Sequence, residues 1–125
     1  MAKASAVKEQ DFVAKMEMSL GDLKREIIAN LLVSNEDFKE IVEAMDPKDL
    51  ADVASDDIDR KMIEAIGAQE LKRLRLIESA LARIQQKKYG ICIKCGKKIP
   101  HERLEAIPYA LMCIECKTAE EKRNR

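Results

Sequence analysis

Two pairs of closely spaced cysteines constrain this chain more than any other feature of its sequence. The first pair reads CIKC at residues 92–95, the second reads CIEC at residues 113–116, and 17 residues separate them. Two residues between a pair of thiolates let one tight turn supply two ligands to a tetrahedral ion, and two such pairs at this separation are typical of a four-thiolate zinc site. The alternatives are a pair of redox-active CxxC motifs and four unrelated core cysteines. The sequence favours one Zn²⁺, and its predicted ligands are Cys92, Cys95, Cys113 and Cys116.

A shell of four thiolates leaves no open coordination position. The predicted zinc is therefore structural and stabilises a module too small to fold around an apolar core alone. Gly96 follows the first pair, and its conformational freedom suits the tight turn that such a pair requires. The single histidine, His101, is interpreted as an exposed loop residue. Because no phosphate-binding loop or nucleophile–base pair is present either, we do not expect an enzyme.

Two long segments, each with one apolar stripe, precede the cysteines. In residues 11–45 apolar side chains recur every three or four positions, as on one face of a helix, and Ser34 interrupts the stripe. These residues are Phe12, Met16, Leu20, Leu23, Ile27, Leu31, Phe38, Ile41 or Val42, and Met45. Residues 56–88 repeat the pattern with Ile58, Met62, Ile66, Leu74, Ile77, Leu81 and Ile84. Two such helices joined by a short turn pack antiparallel, so the sequence predicts a long coiled-coil hairpin.

These patterns predict a mainly α fold with two domains. Residues 1–88 form the antiparallel coiled-coil hairpin, with an acidic tip at residues 46–57 that contains the helix-breaking Pro47. Residues 89–125 form a small four-cysteine zinc-finger module that ends in a short C-terminal helix. The composition, 37% charged and only 3% aromatic residues, suits long helices with a narrow apolar seam better than a compact mixed fold.

The predicted tip carries more acids than helix capping requires. Its sequence DLADVASDD spans residues 49–57. Capping the two helices needs Asp46 and one residue near Asp56, which leaves Asp49 and Asp52 without a capping role. Their i, i+3 spacing places both carboxylates on one face of a helical turn, where they can approach a metal ion or a basic partner. The alternative is a solvated turn whose acids only cap helices.

Charge and hydropathy narrow the classes of function further. The formal net charge is zero, which argues against a general nucleic-acid coat or a basic membrane binder. The N-terminal MAKASAVKEQ lacks the apolar run of a signal peptide, and no stretch approaches the roughly 18 apolar residues of a membrane span. We therefore expect a cytoplasmic protein with no membrane partner, in which the cysteines stay reduced and act as ligands.

The cysteine module and the acidic tip together resemble the DksA/TraR family of bacterial transcription factors. Asp49, Asp52 and Ala54 match the family's D-x-x-D-x-A motif, and Asp52 lies 40 residues before Cys92. The matching zinc-region residues are Tyr89, Gly90, Cys92, Cys95, Gly96, Ile99, Pro100, Arg103, Leu104, Glu105, Ala106, Pro108, Ala110, Cys113, Ile114, Cys116 and Lys117. These motifs extend the resemblance over residues 46–117, and the first helix matches by its pattern.

The resemblance implies a regulator that binds bacterial RNA polymerase, with no direct sequence-specific DNA binding. Members insert the hairpin through the secondary channel towards the catalytic magnesium, where the tip carboxylates shift the stability of promoter complexes. Asp49 and Asp52 would be the working groups, and Ala54 would allow close approach. Leu50 and Val53 stand where well-known members have Pro and Arg, which implies a different potency of the tip.

The resemblance also bears on guanosine tetraphosphate, the nucleotide that family members bind through basic residues. Of the matching positions only Lys117 keeps a basic residue, whereas Leu76 and Ile107 occupy the others. Lys117 is therefore the candidate nucleotide-binding residue, and no strong response to the nucleotide is expected. Three cations near Leu76 could partly substitute: Lys72, Arg73 and Arg75.

Two other functions fit parts of the sequence. Residues 88–125 contain nine Lys or Arg against five Glu, a net charge of +4, which suits a nucleic-acid-binding zinc ribbon with a coiled-coil dimerisation stalk. The four thiolates also suit a redox-controlled switch in which oxidation releases zinc.

Overall fold

The computed structural model describes residues 2–44 and 60–124, in which six helices form. They are α1 (Ala2–Ser34), α2 (Glu36–Glu43), α3 (Arg60–Ile66), α4 (Ala68–Gln85), α5 (His101–Ala106) and α6 (Ile114–Arg123). Among the described residues an antiparallel bridge between Ile91 and Lys98 is the only β-type pairing. The predicted mainly α fold with a four-cysteine module is confirmed. No helix in the described part of the chain has the length and hydropathy needed to cross a membrane.

The chain divides into two compact units. One comprises Met1–Leu20 with Ser79–Arg125, and the other comprises Gly21–Glu78. The first unit contains the cysteines, and the second contains α2, α3 and the adjoining parts of α1 and α4. The predicted domains, residues 1–88 and 89–125, were drawn from sequence motifs and stay a prediction.

Within the unit of residues 21–78, the contacts show an antiparallel pair of helical segments. Lys24 on α1 forms an ion pair with Glu78 on α4, and further along the chain Asn35 contacts Ala65 on α3. A later residue of the first segment thus contacts an earlier residue of the second, so the two segments run in opposite directions. Helix α2 packs against α3 in the same unit. The antiparallel pairing predicted for the two segments is thus present in these residues.

The apolar stripes form the buried core of the helices. Phe38, Leu74 and Ile77 are completely buried. The other buried residues on these helices are Met16, Leu20, Ile27, Leu31, Met62, Ile66, Leu71 and Ala80. The predicted stripes contain most of this core but omit Leu71 and Ala80, which both lie on α4.

Both predicted helices are interrupted, which the sequence pattern did not indicate. The first breaks at Asn35, whose backbone is extended (φ −126°, ψ 100°) and whose side chain caps α2. The second breaks at Gly67, whose φ of +89° lies in the left-handed region that glycine adopts without a steric penalty. Ser34, expected in the stripe, is exposed, and its hydroxyl donates a hydrogen bond to the Asn30 carbonyl at 2.7 Å.

Candidate metal centre

The four predicted ligands converge on one point. The Sγ atoms of the four cysteines all lie within 4.8 Å of one another, and those of Cys95 and Cys113 are 3.8 Å apart. A tetrahedral zinc ion with Zn–S bonds of about 2.3 Å separates its sulfur ligands by roughly 3.8 Å. No acidic or histidine ligand belongs to this group among the described residues. The donor set therefore fits a zinc ion coordinated by four thiolates.

A compact turn brings the first pair of cysteines together. The backbone N–H of Gly96 donates to the Cys92 carbonyl at 3.0 Å, and that of Cys92 donates to the Lys97 carbonyl at 2.8 Å. Gly96 has a φ of +75°, so its predicted role in this turn is confirmed. The Ile91–Lys98 bridge closes the turn from outside. The sequence CIKCG thus folds locally into a shape that points both sulfurs to one side.

The second pair lies at the start of α6. Cys113 is the N-cap residue, with an extended backbone (φ −69°, ψ 164°), and Cys116 lies in the first helical turn. The N–H of Lys117 donates to the Cys113 carbonyl at 3.0 Å. One ligand before the helix and one in its first turn therefore face the same ion. The predicted C-terminal helix is present, and it begins at Ile114, directly after Cys113.

The cysteines occupy different electrostatic environments. Burial raises the pKa of the Cys92 thiol, but backbone hydrogen bonds from Cys95, Cys113 and Lys94 outweigh this effect and lower its pKa to about 6. Hydrogen bonds with the Cys113 and Cys92 side chains raise the pKa of the Cys116 thiol to about 12. A zinc ion held by Cys92, Cys95, Cys113 and Cys116 would override these differences, because a coordinated thiol is deprotonated outright.

A small core supports the metal centre. Its buried residues outside the cysteines are Tyr89, Ile99, Leu104 and Ala110. The Tyr89 hydroxyl donates to the Pro108 carbonyl at 2.8 Å, and burial raises the pKa of Tyr89 to about 12. Helix α5, which the sequence pattern did not predict, contributes Leu104 to this core. This small core and the predicted zinc ion would together stabilise the cysteine module, which has little regular secondary structure.

His101 is exposed, as predicted, but it lies in a helix rather than in a loop. It is the first residue of α5, and its ring stacks on that of Phe12 in α1 with the centroids 3.7 Å apart and the planes at 4°. Its Nε2 lies 3.0 Å from Oε2 of Glu9. His101 does not belong to the group of converging ligand atoms. It fastens α5 to α1, a role that sequence spacing does not reveal because the partners are 92 residues apart.

The remaining predicted site residues are separate from the metal centre or lie outside the described part. Asp49, Asp52 and Ala54 fall in residues 45–59, which are outside the described residues. Lys117 is exposed on α6, next to the ligand Cys116, whereas Leu76 and Ile107 are half-buried. The roles of Lys117 and of the tip residues therefore stay predictions.

Comparison with known proteins gives one family for the cysteine module. Residues 87–122 match the model of the prokaryotic dksA/traR C4-type zinc finger. Together with the geometry of the four sulfurs, this match supports a structural zinc ion at the site.

Relatives and solved structures extend the similarity beyond the module. The chain is 38% identical over 77 residues to the RNA polymerase-binding transcription factor DksA of Caulobacter vibrioides, covering 62% of this chain and 54% of that relative. It thus spans about half the length of that protein. The DnaK suppressor protein of Agrobacterium tumefaciens is 33% identical, with a TM-score of 0.60 and coverage of 86% of this chain and 92% of that one. Transcription factor DksA2 of Pseudomonas aeruginosa is 26% identical, with a TM-score of 0.66 and coverage of 97% and 92%.

Proposed function

This chain belongs to the DksA/TraR family, and we propose from that premise that it is a non-enzymatic regulator of transcription that binds bacterial RNA polymerase. The observation that carries the proposal is the similarity over almost the whole chain to solved structures of that family, one of them named as a transcription factor. The Caulobacter relative is named for binding RNA polymerase. A partner of this kind places the protein in the cytoplasm, where transcription takes place in bacteria.

We further propose that the tip at residues 46–57 enters the secondary channel of the polymerase and alters the stability of promoter complexes. Asp49 and Asp52 would act near the catalytic magnesium, and Ala54 would keep the approach unobstructed. The support is the D-x-x-D-x-A motif in the sequence together with the antiparallel pairing of α1 and α2 with α3 and α4. An antiparallel pair leads the chain to a single connecting segment, and this segment holds the two aspartates.

We propose that guanosine tetraphosphate contributes little to regulation by this chain. Lys117 is exposed and is the one matching cation, while apolar side chains stand at the other two positions, Leu76 and Ile107. A polyphosphate needs several cations or N–H donors at once for tight binding. We expect regulation by this chain to depend weakly, if at all, on added nucleotide.

The experiment that tests the proposal is multi-round transcription by purified bacterial RNA polymerase. Wild type is compared with the double variant Asp49→Asn, Asp52→Asn on an unstable ribosomal-type promoter and on a stable control promoter. Asn keeps the shape of the side chain and removes the charge, so the variant should bind polymerase but lose its effect on the unstable promoter. Binding is measured separately by competition for polymerase with labelled wild-type protein.

A matched control carries the same change of charge within the acidic stretch but outside the motif. The double variant Asp57→Asn, Asp59→Asn serves this purpose, because Asn caps helices about as well as Asp. It should regulate like wild type. Loss of regulation in both double variants would attribute the effect to total charge and refute the role of the motif.

The alternative function is a nucleic-acid-binding zinc ribbon with a coiled-coil dimerisation stalk. The observation that favours it is the exposure of four lysines of the zinc module, Lys94, Lys97, Lys98 and Lys117. A protein that neutralises several phosphates binds free duplex DNA with an affinity that falls steeply with salt. Tight, salt-dependent binding to DNA together with no binding to polymerase would replace the proposed function with this one.

A further inference from the structure

Two arginines each donate a hydrogen bond to the backbone carbonyl that directly precedes a cysteine pair. Arg83 on α4 donates through Nη2 to the carbonyl of Ile91 at 2.9 Å, and Arg103 on α5 donates through Nε to the carbonyl of Met112 at 3.1 Å. Ile91 directly precedes Cys92, and Met112 directly precedes the first cysteine of the second pair. Each guanidinium therefore holds the peptide group that leads into a pair of zinc ligands.

The two acceptor carbonyls lie beside the backbone link between the cysteine pairs. The N–H of Ile93, inside the first pair, donates to the carbonyl of Leu111 at 2.9 Å. Leu111 is adjacent to Met112, the acceptor of Arg103, and Ile93 lies two residues after Ile91, the acceptor of Arg83. The two arginines, one on α4 and one on α5, thus bind the backbone next to the hydrogen bond that joins the two cysteine pairs.

The first of the bound peptide groups is held at its other end as well, because the N–H of the Ile91–Cys92 peptide donates to the Lys97 carbonyl at 2.8 Å. The peptide that leads into the second pair is held at its carbonyl by Arg103. Both arginine side chains are partly buried, and neither forms an ion pair with a carboxylate within the described ranges.

We propose that Arg83 and Arg103 are positioning residues for the zinc ion: each guanidinium orients the peptide that leads into one cysteine pair. Hydrogen bonds outside the ligand shell orient the ligands of a bound metal. Each arginine therefore stabilises the backbone conformation in which its pair of sulfurs faces the ion.

The test uses the full chain and compares zinc affinity among single variants. Arg83→Ala, Arg103→Ala and the control Arg123→Ala each remove one positive charge, and Arg123 is exposed in the last turn of α6. Affinity is measured by competition with a chromophoric chelator, and zinc release by transfer to excess chelator. Because loss of an outer hydrogen bond typically weakens metal affinity about 10–100-fold, we expect this loss for Arg103→Ala, a smaller one for Arg83→Ala and none for Arg123→Ala.

A second measurement separates positioning from general destabilisation. In the cobalt-substituted protein the visible ligand-field bands report the tetrahedral arrangement of the four sulfurs. Loss of an orienting hydrogen bond should distort this arrangement and change the bands in Arg83→Ala and Arg103→Ala, whereas Arg123→Ala should keep the wild-type spectrum. Arg103→Gln keeps a side-chain N–H donor and should recover part of the zinc affinity.

The outcomes are decisive in both directions. Zinc affinities within two-fold of wild type for both alanine variants would overturn the proposal. So would an equal loss of affinity in Arg103→Ala and Arg103→Gln with an unchanged cobalt spectrum, because this would show that packing rather than hydrogen bonding matters. If Arg103→Ala does not fold, the affinity and spectrum of Arg103→Gln against Arg123→Ala decide the question.

Discussion

The side chain of Asn35 bridges two helix breaks by binding the backbone of Ala65, 30 residues further along the chain. Its Nδ2 donates to the Ala65 carbonyl at 2.7 Å, while its Oδ1 accepts from the N–H of Phe38 at 3.0 Å. The first bond reaches across to α3, two residues before Gly67, and the second caps α2. The Asn35 side chain thus caps the start of α2 and also binds α3 close to the break at Gly67.

Replacement of Asn35 by Ala should lower the free energy of unfolding by about 2 kcal/mol. About 1 kcal/mol comes from the lost cap and about 1 kcal/mol from the lost bond to Ala65. Urea unfolding of the zinc-loaded protein, followed by circular dichroism, measures the change. Asn35→Ser keeps a capping oxygen but is too short to reach Ala65, so it should recover only the cap. Equal stability of Asn35→Ala and wild type would show that the bridge is not energetically important.

Gly67→Ala should destabilise the protein by roughly 1–2 kcal/mol, because the φ of +89° places an L-residue in the left-handed region. An added Cβ would have no other atom within 4 Å, so the cost arises from the backbone and not from a clash. Gly67→Asn should cost less, since Asn tolerates this region better than Ala. Equal losses for Ala and Asn, measured in the same urea assay, would point to a steric cause instead.

Lys87→Gly should stabilise the protein by up to about 1 kcal/mol, the opposite sign to Gly67→Ala. Lys87 lies two residues after the end of α4 with a φ of +61°, and the N–H of Lys88 donates back to the Arg83 carbonyl at 2.8 Å. This is the helix-ending position at which glycine is preferred. Lys88→Gly removes the same charge next to it and serves as the control. A gain in both variants would attribute the effect to charge rather than to the left-handed conformation.

Tyr89 should ionise only at strongly alkaline pH. Burial raises its pKa to about 12 from the ordinary value of about 10, since the folded protein disfavours the phenolate. Its stabilising contribution is therefore complete below about pH 10 and is lost as the pH rises through about 12. The chain has two tyrosines, so the absorbance of tyrosinate in a Tyr109→Phe variant reports Tyr89 alone.

The matched variant for this prediction is Tyr89→Phe. It removes the hydrogen bond to Pro108 and should cost about 1 kcal/mol at neutral pH. Its stability should also lack the alkaline loss that wild type shows between about pH 10 and 12. An ordinary titration near pH 10 in the Tyr109→Phe protein would mean that the Tyr89 hydroxyl is accessible to water.

How far the sequence predicted the structure depends on whether a feature is local. Each CxxC pair is a local feature, and Gly96 directly follows the first pair; the predicted turn at Gly96 and the predicted grouping of the four cysteines agree with the structure. The apolar stripes predicted most of the buried helix core for the same reason, since a helix repeats its contacts every three to four residues. Helix α5 was missed because six residues are too few to show a period.

The sequence by itself predicted the zinc ion, its four cysteine ligands and the helical character of the chain, because two CxxC pairs at this spacing are typical of a zinc site and a helix with one buried face repeats its apolar residues every three to four positions. Only the tertiary structure decided where the long helices break and what the polar side chains bind. Asn35 donates to the Ala65 carbonyl and His101 stacks on Phe12, and both contacts join residues that are far apart in the sequence. The carbonyl partners of Arg83 and Arg103 are likewise set by how the turns pack, since an arginine in a sequence carries five donors but no indication of their acceptors.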